Sequence, residues 1–231
     1  MLFCRLRRRK IVSHSAFDDL ELNYAAWLPS DRNAAILDVG CGDGRVLAFL
    51  ADAGYLRLEG FDRDATAVEA ARARVKAPVA VEHDWGRFLD ARPRAVDLII
   101  LKDVIYYLPR EGVVDALQTV RRAIKPGGSV LLEVFNGAAF TGPFVAHKDD
   151  GILWVPTEHT VRMFLERAGF VSVELRAHIP PGRTLRRRAF NLLAAAWRGM
   201  LRLIYFAERG LSEGNPRILT TKIVAVGKVP L

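Results

Sequence analysis

Cysteine is scarce in this chain: its 231 residues hold only Cys4 and Cys41. Two thiols build no disulfide framework, and a reducing cytoplasm is the simplest setting for them. Long apolar runs are missing as well. The nearest approach, residues 189–207, is interrupted by Arg198 and Arg202, so a membrane-spanning helix is not expected. The basic start is followed by SHSAFDDLELNY, mixed and acidic, where a secretory signal would carry an apolar run. There is no internal repeat and no low-complexity linker. No aromatic–basic strand platform of the RNA-binding kind is present either, so nucleic acid is not an expected partner.

Acid is short at two places. Residues 1–10 carry five basic side chains and no acid, and residues 183–209 carry seven arginines against Glu208 alone. These segments hold +11 between them while the whole chain is at +8, which leaves the remainder at −3. A mildly acidic body thus bears two basic attachments, which by charge alone suit anionic lipid, nucleic acid or an acidic partner.

What is present is an alternation of strand and helix patterns, which predicts an α/β fold with a parallel sheet and helices on both faces. A leading helix is expected over 14–29, within a lead-in of residues 1–30. Strands are expected at 35–39, 56–62, 79–84, 95–103, 129–135, 171–179 and 217–229, the last paired antiparallel. Helices are expected after the first, second and fourth strands, and over EHTVRMFLERA, with Thr157 as its cap and Gly169 as its stop. Residues 136–155 read as irregular.

The most informative stretch is ILDVGCGDGR, residues 36–45. A buried strand ends at Asp38, three glycines follow at Gly40, Gly42 and Gly44, and a helical pattern starts at once. That arrangement brings a ligand against bare backbone at a helix N-terminus. The spacing is G-x-G-x-G after an acid, whereas a dinucleotide fingerprint is G-x-G-x-x-G. This disfavours a nicotinamide oxidoreductase.

The Asp38-x-Gly-x-Gly-x-Gly run resembles the first motif of class I S-adenosylmethionine (SAM)-dependent methyltransferases. Asp62 in GFD, Asp84 followed by Trp85, Lys102-Asp103 after the fourth strand, the Lys-Pro-Gly-Gly of 125–128 and the AGF of 168–170 fall in the family's order. The resemblance spans about residues 34–178 plus the last strand. It implies a Rossmann-like fold whose seven-stranded sheet is mostly parallel, with SAM as cofactor. It also implies that Asp38, Gly40, Gly42 and Gly44 form the cofactor turn. Asp62 would accept both ribose hydroxyls, as an ionised carboxylate can, and Asp84 and Trp85 would meet the adenine. Asp38 and Asp84 have plainer readings too, as a turn cap and a helix cap.

Asp103 stands where the transferring methyl is expected, and Tyr106 and Tyr107 either wall the acceptor or simply pack. His147 and His159 flank the irregular segment and, with Asp103, are the candidates for a general base. The HKDD run at 147–150 with His159 has ligand types that suit magnesium or manganese, but polar loop residues are usually just solvated, and no metal is expected.

Residues 183–209 lie within an inserted segment, 180–212, between the last two core portions (34–178 and 216–229) of a single domain, 1–231. Leu185, Phe190, Leu193, Trp197, Leu201 and Ile204 recur at helical spacing among arginines. The helix reads as lying on an anionic membrane, as packing on its own domain, or as a homodimer contact. With Asn136-Gly137, the prolines at 180–181 and YFAERG…ILTTKIVAVGK, this tail resembles methyltransferases of bacterial surface-polysaccharide biosynthesis. Their acidic–histidine cluster is spread out here as His147, Asp149, Asp150 and His159. The expected function is methyl transfer to a hydroxyl of a small molecule or glycan, in the cytoplasm or at the inner membrane face. The alternatives are a quinone or lipid acceptor, or SAM binding without catalysis.

Overall fold

A computed structural model describes residues 17–212 and 214–231. The basic residues of positions 1–10 and Cys4 lie outside the described residues. Seven strands form one sheet: β1 (Ala35–Val39), β2 (Arg57–Asp62), β3 (Val79–Val81), β4 (Val96–Lys102), β5 (Ile124–Phe135), β6 (Val171–Ala177) and β7 (Lys222–Lys228). Their order is β3–β2–β1–β4–β5–β7–β6. Neighbours from β3 to β5 pair parallel, and β7 runs antiparallel to both β5 and β6. The chain fills the sheet outward from β1 to β3, then crosses back to β4 on the other side of β1. Ligands bind such sheets where the strand order reverses, outside the carboxyl ends. Here that crevice lies between β1 and β4.

β4 shows why a parallel strand reads as continuously apolar. Leu98 and Ile100 face one layer of helices while Ile99 and Leu101 face the other, and all four are fully buried. Helices α1 (Asp18–Tyr24), α2 (Arg45–Asp52) and α3 (Ala65–Arg74) cover the first face through Leu20, Leu47, Leu50 and Val68. On the second face lie α4 (Trp85–Asp90), α5 (Val113–Ala123) and α7 (Glu158–Arg167), through Leu89, Leu117, Val120, Phe164 and Leu165. The start of α3 is set by Asp64, whose carboxylate accepts from the Thr66 N–H at 2.8 Å. Thr157 caps α7 in the same way, and Gly169 follows it in the left-handed region. A short α6 (Gly142–Ala146) and the 25-residue α8 (Leu185–Arg209) complete the chain.

Several sequence expectations need correction. The leading helix is confined to Asp18–Tyr24 within the described residues. β3 stops at Val81 because Glu82 accepts from the Asp84 N–H and Asp84 caps α4, a helix not foreseen. His83 therefore lies in a bend and not on a buried strand. β5 begins at Ile124, opposite Val96, and the Lys-Pro-Gly-Gly segment is an excursion within it. β6 ends at Ala177. The final strand starts only at Lys222, since Arg217 and Ile218 donate their N–H groups to the Glu158 carboxylate at 2.7 and 2.6 Å and not to the sheet. Residues 136–155, expected to be irregular throughout, contain α6.

Candidate active site

At the end of β1 the chain enters the glycine turn with Gly40, Gly42 and Gly44 all at positive φ. A Cβ on Gly40 would stand 2.6 Å from Val104 Cγ2, and one on Gly44 would stand 2.9 Å from Ala71 Cβ. Gly42 instead borders open space. The turn is locked to the end of β2: the Gly40 and Cys41 N–H groups donate to the Phe61 carbonyl at 2.9 and 3.0 Å, and the Gly42 N–H donates to Asp62 Oδ2 at 2.8 Å. The other Asp62 oxygen accepts from the Asp64 N–H. Asp62 therefore braces the turn as well as ending the strand.

Asp38 is only 1 % exposed, and among the described residues neither carboxylate oxygen has a hydrogen-bond partner. Burial pushes its pKa up to about 7, with Lys102 opposing the rise and the Asp62 charge adding to it. The Cys41 thiol, buried and facing both carboxylates, is pushed up to about 12 and stays protonated.

At the end of β4, Asp103 sits at φ +60° and donates its N–H to the Glu133 carbonyl at 2.8 Å. Its side chain accepts from Lys222 Nζ at 2.6 Å and Lys102 Nζ at 2.7 Å. Lys222 also donates to Glu133 at 2.8 Å, and Tyr24 of α1 donates to the other Glu133 oxygen at 3.0 Å. Burial alone would raise the Asp103 pKa, but Lys222 and Lys102 outweigh it and hold the carboxyl below its ordinary range. His178, 3.9 Å from Glu133, has its pKa lowered, chiefly by burial. The result is a compact cluster of two carboxylates and two ammonium groups roofed by α1. That helix is tied down by the Arg45–Asp19 pair and by the Asn23 side chain on Ile179.

Beyond this cluster lies an aromatic wall. The Tyr106 ring is 4.9 Å from Tyr107 and 5.5 Å from Phe135, and Lys148 and Lys222 stand 4.5 and 4.9 Å from the Phe135 ring. Tyr107 donates to Asp149 at 3.3 Å, and Arg63 lies 5.9 Å from its ring. The segments following β2, β4 and β5 thus meet over the carboxyl edge.

The structure brings the expected residues Asp38, Gly40, Gly42, Gly44, Asp62 and Asp103 into one crevice. Asp84 caps α4 through the Arg87 N–H at 2.9 Å, and the half-buried Trp85 packs on the core beside it. His147, at the end of α6, is exposed with Nδ1 2.9 Å from the Pro143 carbonyl. His159 is exposed on the outer face of α7, in a shallow hollow of about 420 Å³ shared with Arg162 and Glu166. Sequence reasoning missed Tyr24, Glu133, His178 and Lys222. The one available signal was a lone acid in the apolar run SVLLEVF.

The family model described as a methyltransferase domain matches residues 36–128, which hold the whole crevice from the glycine turn to the end of β4. A SAM-dependent methyltransferase from Archaeoglobus fulgidus superposes with a TM-score of 0.68 over 94 % of both chains, at 16 % identity. Residues 36–128 thus match a methyltransferase domain, and the chain has the fold of SAM-dependent methyltransferases. Among curated relatives, the tRNA U34 carboxymethyltransferase of Aliarcobacter butzleri is 25 % identical over 154 residues, 63 % of this chain and 50 % of that protein. Trans-aconitate 2-methyltransferase of Rhizobium rhizogenes is 28 % identical over 110 residues, 47 % and 41 % respectively. The chain spans half or less of the length of these curated relatives.

The residues present fit SAM. A buried, unpartnered carboxylate calls for a cation, and the ammonium of the cofactor's amino-acid moiety is one. Gly42 leaves room for close approach, and the Asp62 oxygens keep lone pairs for ribose hydroxyls.

Proposed function

We infer that this methyltransferase transfers the methyl group of SAM to an oxygen of a small-molecule or glycan acceptor, the glycan in surface-polysaccharide biosynthesis. The observation that carries the cofactor half of this reading is Asp38: a fully buried carboxylate with no donor among the described residues, two positions before a turn of bare glycine backbone. Asp38 would hold the ammonium, Asp62 the ribose, and Asp84 with Trp85 the adenine. Bound SAM supplies a methyl group activated by its positive sulfur.

The residues at the ends of β4 and β5 would position the acceptor against that methyl, at a near-attack distance of about 3–3.5 Å. Charge disappears at sulfur during transfer, so no growing anion needs stabilising there. A hydroxyl acceptor must still lose its proton. Asp103 is a weak base because two lysines stabilise its ionised form. His147 is better suited: with Nδ1 donating to the Pro143 carbonyl, Nε2 is left as the acceptor. His159, on the outer face of α7, is the less favoured base.

A second reading has its own observation. Lys148 stands over Phe135 next to Lys222, and such an ammonium would orient an acceptor that already carries a carboxylate and needs no base. The trans-aconitate methyltransferase resemblance agrees with it.

Calorimetric titration with SAM and S-adenosylhomocysteine, on wild type and Asp62→Ala, tests the cofactor half. Loss of a hydrogen bond to a charged group predicts binding weaker by about tenfold or more. Absence of binding to the folded protein would overturn the reading. Radiolabelled methyl transfer to hydroxyl-only and carboxylate-bearing acceptors then separates the two acceptor classes, and binding without turnover on any acceptor would indicate a non-catalytic protein.

A further inference from the structure

The most unusual surface of this protein is α8, which is 25 residues long and has no buried residue. On a 3.6-residue repeat Leu185, Leu192, Leu193, Met200, Leu203 and Ile204 share one side, while Arg187, Arg198, Arg202 and Arg209 share the other. An amphipathic helix in a globular protein turns its apolar side inward. Here the orientation is reversed. The half-buried residues are Asn191, Ala194, Arg198, Gly199, Leu201 and Tyr205, so the helix rests on the fold by the side opposite its leucine stripe. The apolar side faces outward, with Leu192 72 %, Leu193 67 % and Leu203 68 % exposed.

This outward face continues toward the active site. Trp197 makes an edge contact with Phe140, ring centroids 5.0 Å apart, and Phe140 and Phe144 are themselves 67 % and 71 % exposed. Both belong to the segment after β5, whose Lys148 reaches the Phe135 wall. Apolar surface therefore runs from α8 to the cover of the acceptor side.

Charge selects the occupant. The stretch 183–209 carries seven arginines and one acid. A second copy seated on this face would bring one arginine-rich helix against another. Residues 1–10 are basic without acid, so they do not complement it either. Among the described residues no helix is long and apolar enough to cross a membrane. An apolar face flanked by Arg186 and Arg188 and turned to solvent matches an anionic lipid surface, with side chains in the acyl boundary and guanidinium groups at headgroup phosphates.

We propose that α8, together with Phe140 and Phe144, is an interfacial anchor that seats this methyltransferase on an anionic bilayer with the acceptor side of its crevice facing the lipid. Acceptors borne by the membrane would thus reach the site without leaving it. The inference does not depend on the acceptor chemistry proposed above.

The test is co-sedimentation of the full chain with phosphatidylglycerol–phosphatidylcholine vesicles and with phosphatidylcholine vesicles alone. Wild type is expected to bind the anionic vesicles far more strongly, and added salt should weaken that binding. Arg186→Glu/Arg188→Glu should lower partitioning by about 25-fold or more, since each arginine near an anionic surface contributes about fivefold. Leu192→Glu/Leu203→Glu should lower it by about tenfold or more through lost burial. Both variants alter exposed side chains and should keep wild-type SAM binding, which confirms the fold. The proposal is overturned if wild type ignores anionic vesicles or if both variants bind like wild type. It is equally overturned if wild type is a stable dimer that Leu192→Glu/Leu203→Glu dissociates, because the face would then belong to a second copy.

Discussion

Asp38 offers the sharpest test of how the fold prepares the cofactor site. Its carboxyl is fully buried without a donor among the described residues, and its pKa is raised to about 7. The cofactor's ammonium needs the ionised form, so binding should release a proton wherever Asp38 is protonated in the free protein. With a free-state pKa near 7, about half the molecules are ionised at pH 7 and about one in thirty at pH 5.5, so apparent affinity should fall by about fifteenfold across that interval. The cofactor's own amino group, with an ordinary pKa of about 8, stays charged throughout. Titration calorimetry in two buffers of different ionisation enthalpy reads both the affinity and the proton count, about half a proton released at pH 7.

Asp38→Asn keeps the shape and removes the charge. It should abolish the pH dependence and weaken SAM binding at pH 7 by about tenfold or more. Stability should move the other way. A carboxyl whose pKa is raised on folding binds its proton more tightly in the native state, so wild-type stability declines as pH climbs from about 4 to about 7. The asparagine variant should lack that decline. Affinity independent of pH between 5.5 and 7, with Asp38→Asn binding like wild type, would refute the assignment of Asp38 to the ammonium.

Lys222→Met leaves Glu133 and Asp103 with Lys102 as their remaining lysine, and should cost about 3–5 kcal/mol of stability, read by denaturant unfolding. Because Asp103 is held below its ordinary pKa, its stabilising contribution is present above about pH 4 and lost as pH falls through the lowered value; the variant should flatten that acid limb. Gly44→Ala forces a side chain into φ +75° and 2.9 Å from Ala71 Cβ, and should cost about 1–3 kcal/mol in thermal unfolding. His147→Ala should leave SAM affinity intact and lower kcat on a hydroxyl acceptor by about a hundredfold. An unchanged rate would move the base elsewhere.

The glycine turn was legible in the sequence because its determinants are local: an apolar run, three glycines at left-handed φ and the onset of a helix period all fall within ten residues. The same holds for Thr157, whose hydroxyl cap sits three residues from the N–H group it accepts. The alternation of strands and helices and the antiparallel last strand followed from periodicity and order along the chain. Tertiary structure decided the rest. Strand ends were set by competing partners, such as the Glu158 carboxylate that holds Arg217 and Ile218 off the sheet. Glu133 and Lys222 are 89 residues apart, and only the antiparallel pairing of β5 with β7 makes them an ion pair and so lowers the Asp103 pKa. For α8, periodicity showed two unlike sides, but not which one would face outward. That depended on which side the rest of the fold had surface to meet, a property of the assembled molecule that no local pattern encodes.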